Sequence, residues 1–251
     1  KLKSGSLVAF PTETVYGLGA DATNAAAVAR IYSVKGRPAD HPLIVHVSSM
    51  QGAADWAADI PDYAIALARA YWPGPMTLIF KRSDLAEDFV TGGQDTVGLR
   101  VPDHAIAQAL LKAFESIGGK GIAAPSANRF GHVSPTTAQA VSEELSAYLA
   151  ADDVVLDGGP SQVGVESTII DCTGDVPRIL RPGAITGQMI SESTGLKVAG
   201  AVEESAIRVS GSLDSHYAPA AAVVLDQSPV AGQGFIAMAD VVAGEGVVRL
   251  A

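Results

Sequence analysis

The stretch MTLIFKRSDLAEDFVTGGQDTVGLRV, residues 76–101, decides the fold class. It holds two apolar, β-rich runs, 76–80 and 97–101, that read as strands following one another. A purely parallel sheet would need a helical crossover between neighbours, so successive strands of this kind point to a mixed sheet. Working outward, 7–10 reads as a buried strand ended by Pro11, and LIVHV (43–47) as a strand between Pro42 and Ser48. Further short strands fall at 122–124, 154–156, 167–171 and 178–180. Helical patterns lie between them. Asn24 caps one that runs through Val28 and Ile31 to Lys35. Another, 62–71, stops at Trp72-Pro73-Gly74-Pro75; a third, 103–117, ends at Gly118-Gly119; a fourth covers 136–149. The expectation is an α/β fold with a twisted mixed sheet and flanking helices.

At 251 residues the chain is long enough to bury a substantial core. Only 6% of it is aromatic, which suits tightly packed α/β layers of Ala, Val and Gly. A net charge of −10 argues against a general nucleic-acid coat, which needs many phosphate-neutralising cations, but leaves room for a local basic pocket. The single cysteine, Cys172, excludes a disulfide framework and a cysteine-based zinc site. No apolar run reaches the length of a membrane span and no signal-peptide pattern opens the chain. The chain opens at Lys1 without a Met, so some N-terminal residues are expected to be missing. The expected location is the cytoplasm, with no membrane partner.

The α/β alternation breaks down at 197–219, where SGSLDSHYAP (210–219) reads as a linker. Strand-like runs resume at 222–225 and 234–238, but about 30 residues cannot bury a core of their own. The expected organisation is a domain at 1–196, a linker at 197–219, and an incomplete second domain opening at 220–251.

Unusual chemistry gathers at strand ends, where open α/β sheets bind ligands. Six segments carry it: PTETVYGLG (11–19), KGRPADHPLIVH (35–46), TVGLR (96–100), APSANRFGHVSPT (124–136), GVESTIID (164–171) and ILRPG (179–183). Lys35-Gly36-Arg37 reads first as a helix C-cap with favourable cations, and second as an anion clamp. Arg100 ends a strand; a buried arginine is costly unless paired, so it either pairs with an Asp or grips a ligand carboxylate. Arg181 raises the same question. His46, inside an apolar strand, has no metal-ligating partner at helical spacing. Ser126 and Asn128 read as turn chemistry. GLGADA (17–22) imitates a dinucleotide fingerprint but lacks the immediate strand-turn-helix context, and Gly119-Lys120-Gly121 is no P-loop. There is no G-x-S-x-G elbow.

Taken together and in order, PTETVYGLG, KGRP…HPLIVH, WPGPMT, GLRVP, PSAN, SPT and GVESTIID resemble the YrdC-like family of L-threonylcarbamoyladenylate synthases, from about Ser6 to Gly183. Ser215-His216-Tyr217-Ala218-Pro219 resembles the linker of the two-domain members, whose second domain is Rossmann-like. The resemblance implies a concave, basic cavity and a nucleotidyltransferase. L-threonine, bicarbonate and ATP, with magnesium, would give threonylcarbamoyl-AMP and pyrophosphate. A downstream transferase complex would then modify tRNA beside the anticodon, so tRNA itself would be met only indirectly or weakly. Most of these reactants are anions, so the chemistry calls for positioning and charge stabilisation. Five cations fall in the matching segments: Lys35, Arg37, Arg100, Arg129 and Arg181. Lys35 and Arg37 are the implied catalytic pair. The implied threonine contacts are Thr14, His46, Arg100, Ala124 (backbone) and Ser167. The implied ATP contacts are Arg37, His41, Thr96, Ser126, Ser134, Arg181 and Tyr217, with Tyr217 in a linker that would act as a lid. His41 stands where the family often has Asn. No resident metal site is expected on protein ligands alone. Three other readings compete. One is a carbamoyl-adenylate enzyme of hydrogenase maturation, whose Cys clusters are missing here; the others are a non-enzymatic RNA-binding module and a regulatory ATP-binding protein.

Overall fold

The computed structural model describes residues 1–200, 207–209, 224, 227–236, 241, 242 and 244–249. The chain divides into two compact units, Lys1–Ala218 and Pro219–Ala251.

In the first unit the strands are β1 (Val8–Phe10), β2 (Gly17–Asp21), β3 (Ile44–His46), β4 (Met76–Lys81), β5 (Thr96–Arg100), β6 (Ile122–Ala123), β7 (Val154–Val155), β8 (Thr168–Asp171) and β9 (Arg178–Arg181). The helices are α1 (Ala25–Lys35), α2 (Met50–Ala54), α3 (Asp62–Tyr71), α4 (Asp88–Thr91), α5 (Ala105–Ser116), α6 (Ala138–Leu145) and α7 (Gly187–Thr194). One nine-stranded sheet has the order β7-β1-β2-β6-β3-β5-β4-β8-β9. It is mixed as expected. β4 and β5 pair antiparallel, β3 and β5 parallel, β4 and β8 parallel, and β8 and β9 antiparallel.

Strand alternation sorts the sheet into two faces. Val45, Leu78, Phe80, Val97, Leu99 and Ile170 join the main core with Val28 and Ile31 of α1 and Leu67 of α3. The intervening residues Ile44, His46, Thr77, Ile79, Thr96, Gly98, Arg100 and Ile169 share the opposite face. A second cluster packs Ala107, Leu111 and Phe114 of α5 on Val8, Phe10 and Ile122.

Local signals hold at the caps. The Asn24 side chain accepts from Ala27 N–H at the start of α1, and α3 spans the residues read from the sequence. The helix read at 103–117 is α5 with His104 as its cap, and that at 136–149 is α6 capped by Thr137. The sequence reading missed β2, whose two glycines argue against a strand. Packing explains them: a Cβ on Gly19 would lie 2.7 Å from Ile122 Cγ2 and 2.9 Å from Phe10 Cζ's neighbour Cε1, so only glycine lets these layers close. Three helices, α2, α4 and α7, were also unread; the first two have only five and four residues.

In the second unit Gly234–Phe235 pairs parallel with Val248–Arg249. The strand read at 234–238 is thus present at its start. Most of 222–225, and the whole of 210–219 with Tyr217, lie outside the described residues.

Candidate active site

The cavity opens on the face of the sheet that carries Ile44, His46 and Arg100. It is lined by residues of the β1–β2 connection, Arg37, β3, β5, the loop after β6 and the segment entering β8, and encloses about 510 Å³ including its open mouth. Eight of the expected site residues line it: Thr14, Arg37, His46, Arg100, Ala124, Ser126, Ser167 and Arg181. Three guanidinium groups against one lining carboxylate, Glu166, give a cationic site in a chain of net charge −10.

Arg100 closes β5 and is 4% exposed. Its Nη2 donates to Glu13 Oε1 at 2.7 Å and, weakly, to Thr12 Oγ1 at 3.5 Å. Glu13 Oε2 accepts from Asp103 N–H at 3.0 Å. The expected acidic partner therefore exists, and it is a Glu from the β1–β2 connection. The Arg100 Nε is buried with no hydrogen-bond partner among the described residues. Thr12 and Thr14 share a hydroxyl–hydroxyl bond of 2.9 Å, which ties Thr14 into the same network.

His46 stands edge-on to Phe10, ring centroids 5.9 Å apart. Burial, then the Arg100 charge, pushes its pKa down to about 3, so the ring is neutral near pH 7. Its Nδ1 is buried without a partner among the described residues. Ala124 N–H is spent on Ile44 O at 3.0 Å.

At the β8 end, Ser167 Oγ lies 2.8 Å from Thr77 Oγ1. Arg181 Nε and Nη2 donate to Ser167 O at 3.1 and 2.9 Å, and Nη2 also reaches Ser167 Oγ at 3.1 Å. Glu166 joins two loops: its Oε1 accepts from Ser134 Oγ, and Oε2 lies 3.8 Å from Arg181 Nη1. Ser134 is thus linked to the cavity wall through Glu166 without lining it.

The α1 end is built differently. Gly36 takes φ 61° and turns the chain, so Arg37 enters the cavity while its Nη2 donates to Pro42 O at 3.1 Å. Lys35 turns inward, 2% exposed, and does not line the cavity. Its Nζ donates to Ser126 O at 2.6 Å and to Asn128 O, beneath the loop that carries Ser126. Burial, then the Arg37 charge, lowers its pKa to about 7. Asn128 Nδ2 donates to Arg129 O and His132 O at 2.7 and 2.8 Å, ordering that loop. Arg129 is also structural: it lies 4.1 Å over the Tyr148 ring and donates to Val34 O. His41 packs on Phe130, centroids 5.4 Å apart, beside Arg37; burial, then Arg37, lowers its pKa.

Thr96 belongs to an adjacent apolar hollow with Ile44, Ile79, Gly98, Ile169 and Val209. Of the expected linker, 197–200 and 207–209 are described, and Arg208 and Val209 line the edge of this hollow. Arg208 N–H donates to Gln94 Oε1 at 2.7 Å, and Arg208 Nη2 to Gly92 O at 2.8 Å. Glu13 and Glu166 are the carboxylates of this site that the sequence reading passed over. The available signal was a carboxylate inside two of the six segments, PTETVYGLG and GVESTIID, that carry no cation of their own.

Residues 1–183 match the Sua5/YciO/YrdC family model, described as "Telomere recombination". The threonylcarbamoyl-AMP synthase of Pyrococcus abyssi (strain GE5 / Orsay) is 43% identical over 232 residues, 91% of this chain and 66% of that protein. That of Bacillus subtilis (strain 168) is 44% identical over 228 residues, 89% of this chain and 64% of that protein. The crystal structure of P. abyssi Sua5 complexed with L-threonine superposes with a TM-score of 0.73 at 40% identity, over 94% of this chain and 66% of that one. The chain therefore spans about two thirds of the length of these relatives. The family match takes in every segment that lines the cavity, from Thr12 to Arg181, and the chain belongs to the Sua5/YciO/YrdC family.

Proposed function

We propose that this protein is an L-threonylcarbamoyladenylate synthase, a nucleotidyltransferase that converts L-threonine, bicarbonate and ATP to threonylcarbamoyl-AMP and pyrophosphate. The observation that carries the reading is the convergence of Arg37, Arg100 and Arg181 on one cavity that also presents Thr14, His46, Ala124, Ser126 and Ser167. The threonine amine and bicarbonate first condense to a carbamate with loss of water. A carbamate oxygen then attacks the α-phosphate of ATP, the bond to the β-phosphate breaks, and pyrophosphate leaves.

Arg100 grips the threonine carboxylate; its unpartnered Nε–H is a donor for it. His46, neutral, holds threonine by hydrogen bonding and does not compete as a cation. Thr14 and Ser167 contribute hydroxyls, and Ala124 its backbone. Arg37 and Arg181 stabilise the charge that builds on carbamate and phosphates, with Ser126, Ser134, Thr96 and His41 around the nucleotide. Lys35 serves the nucleotide through the loop of Ser126, whose carbonyl it holds.

Magnesium would be held here mainly by substrate phosphates, as it commonly is, with Glu166 the one carboxylate lining the cavity; no group of three acidic, His or Cys residues gathers among the described residues. Bound there, it would offset phosphate charge. The mixed anhydride product is labile, so a threonylcarbamoyl transferase complex in the same compartment, the cytoplasm, would consume it and modify tRNA. No described helix is long and apolar enough to cross a membrane.

The test is pyrophosphate release from ATP and bicarbonate, with and without L-threonine, for wild type and Arg100→Ala. Threonine-dependent release that collapses in the variant is expected. Release indifferent to threonine would overturn the reading.

A further inference from the structure

We propose that Glu13 is a positioning residue for the carboxylate end of the amino-acid site: it fixes the plane of the Arg100 guanidinium, and so the donors that Arg100 offers a ligand. This deepens the synthase reading and rests on it.

Two opposite effects compete at this residue. As a negative charge behind Arg100, Glu13 repels an incoming carboxylate, and its removal should tighten binding. As an anchor it holds Arg100 in place, and its removal should weaken binding. The geometry favours the anchor. Both carboxylate oxygens are spent, Oε1 on Arg100 Nη2 at 2.7 Å and Oε2 on Asp103 N–H at 3.0 Å, so the group bridges Arg100 to the chain just beyond its own strand. The other partner of Arg100 among the described residues is Thr12 Oγ1, at a marginal 3.5 Å. Arg100 Nε has none. Glu13 thus provides the one strong bond that sets the guanidinium plane.

The backbone reinforces it. Glu13 O accepts from Val163 N–H at 2.7 Å, and Thr12 and Thr14 on either side exchange a hydroxyl contact. The backbone of Glu13 is therefore fixed at one end, and Asp103 N–H holds its carboxylate at the other. A fork recognises a carboxylate by its direction as much as by its charge, so a few tenths of an ångström matter at Arg100.

The experiment is equilibrium binding of L-threonine, L-threoninamide and ATP to wild type, Glu13→Ala and Glu13→Gln. L-threoninamide lacks the carboxylate that Arg100 reads. Wild type should prefer L-threonine. Glu13→Ala should lose about tenfold to a hundredfold of L-threonine affinity, the scale of one charge-assisted hydrogen bond, with little change for L-threoninamide or ATP. Glu13→Gln keeps an acceptor for Arg100 but sets an amide against Asp103 N–H, and should show a smaller loss of the same selectivity. In turnover the deficit should sit in KM for threonine more than in kcat. L-threonine binding that is unchanged or tighter in both folded variants would overturn the proposal and leave Glu13 a counter-charge. Equal losses for all three ligands would also overturn it, by making the role merely structural. If Glu13→Ala does not fold, Glu13→Gln decides by the same criteria. A wild type that binds no L-threonine at all would instead remove the synthase reading, and the role of Glu13 with it.

Discussion

Two regions of the cavity begin from the same material and end in different places. At the end of β5, Arg100 keeps its guanidinium in the cavity, with Glu13 behind it. At the end of α1, Lys35 gives its ammonium to two backbone carbonyls and leaves the cavity to Arg37. Both cations are buried, but a strand fixes the side to which a residue belongs, whereas the last residue of a helix is free to turn either way. The difference separates a cation that lines the cavity from one that builds the wall behind it.

The sharpest way to break that distinction is Arg100→Ala. If Arg100 is the ligand-facing cation, threonine-dependent pyrophosphate release should fall by about a hundredfold or more, the combined scale of two charge-assisted bonds. The variant should also be less stable by about 3–5 kcal/mol, because Glu13 is left buried without its partner. Both are read from a rate assay and a denaturant midpoint. A full loss of rate with unchanged stability would mean that the ion pair contributes nothing to the fold.

Lys35→Met sharpens the other side. It keeps the bulk and removes the donors to Ser126 O and Asn128 O. If Lys35 works through the loop, ATP affinity should fall about tenfold, with L-threonine affinity preserved and a stability loss of about 2 kcal/mol from the two stranded carbonyls. An intact ATP affinity with turnover abolished would return Lys35 to the reacting atoms.

The two regions should also separate by pH. His46 is held at about 3, below its ordinary 6.5, so between those values the unfolded chain binds the extra proton. Its contribution to stability is complete above 6.5 and is lost as pH falls toward 3. Lys35, lowered from 10.5 to about 7, behaves likewise in a higher window: its contribution is complete above 10.5 and is lost as pH falls to about 7. Subtracting the profile of His46→Gln, or of Lys35→Met, from wild type should isolate each window, with a slope of at most about 1.4 kcal/mol per pH unit. A flat difference in either window would place that group in contact with solvent.

What could be read in advance follows the same divide. The mixed sheet was legible because 76–80 and 97–101 are continuous apolar runs. Once β5 is a strand, period two puts Thr96, Gly98 and Arg100 on one face. β2 was not legible, because Gly17 and Gly19 weaken a strand pattern and their justification is the approach of Phe10 and Ile122 from elsewhere in the chain. The cations could be gathered from the motifs, but which of them face the cavity could not. Lys35 and Arg129 are consumed by backbone carbonyls far away in sequence. Glu13 was missed because its meaning lies in Arg100 and Asp103, some ninety positions later.

The smallest effect provides the control for Lys35. Asn24 caps the opposite end of α1, its side chain accepting from Ala27 N–H at 3.1 Å. Asn24→Ala should cost about 1 kcal/mol, and lower the melting temperature by about 2–4 °C for a unit of this size. Ligand affinities should not move. Val28 and Ile31 still pack in the core, Arg30 still pairs with Asp153 at 2.6 Å, and Lys35 still holds the loop, so fraying is confined to the first turn. If Asn24→Ala instead weakened ATP binding as much as Lys35→Met, the loop would be answering to the placement of the whole helix. The ammonium on Ser126 O and Asn128 O would then be one contact among many, and the contrast between the two ends of the cavity would dissolve.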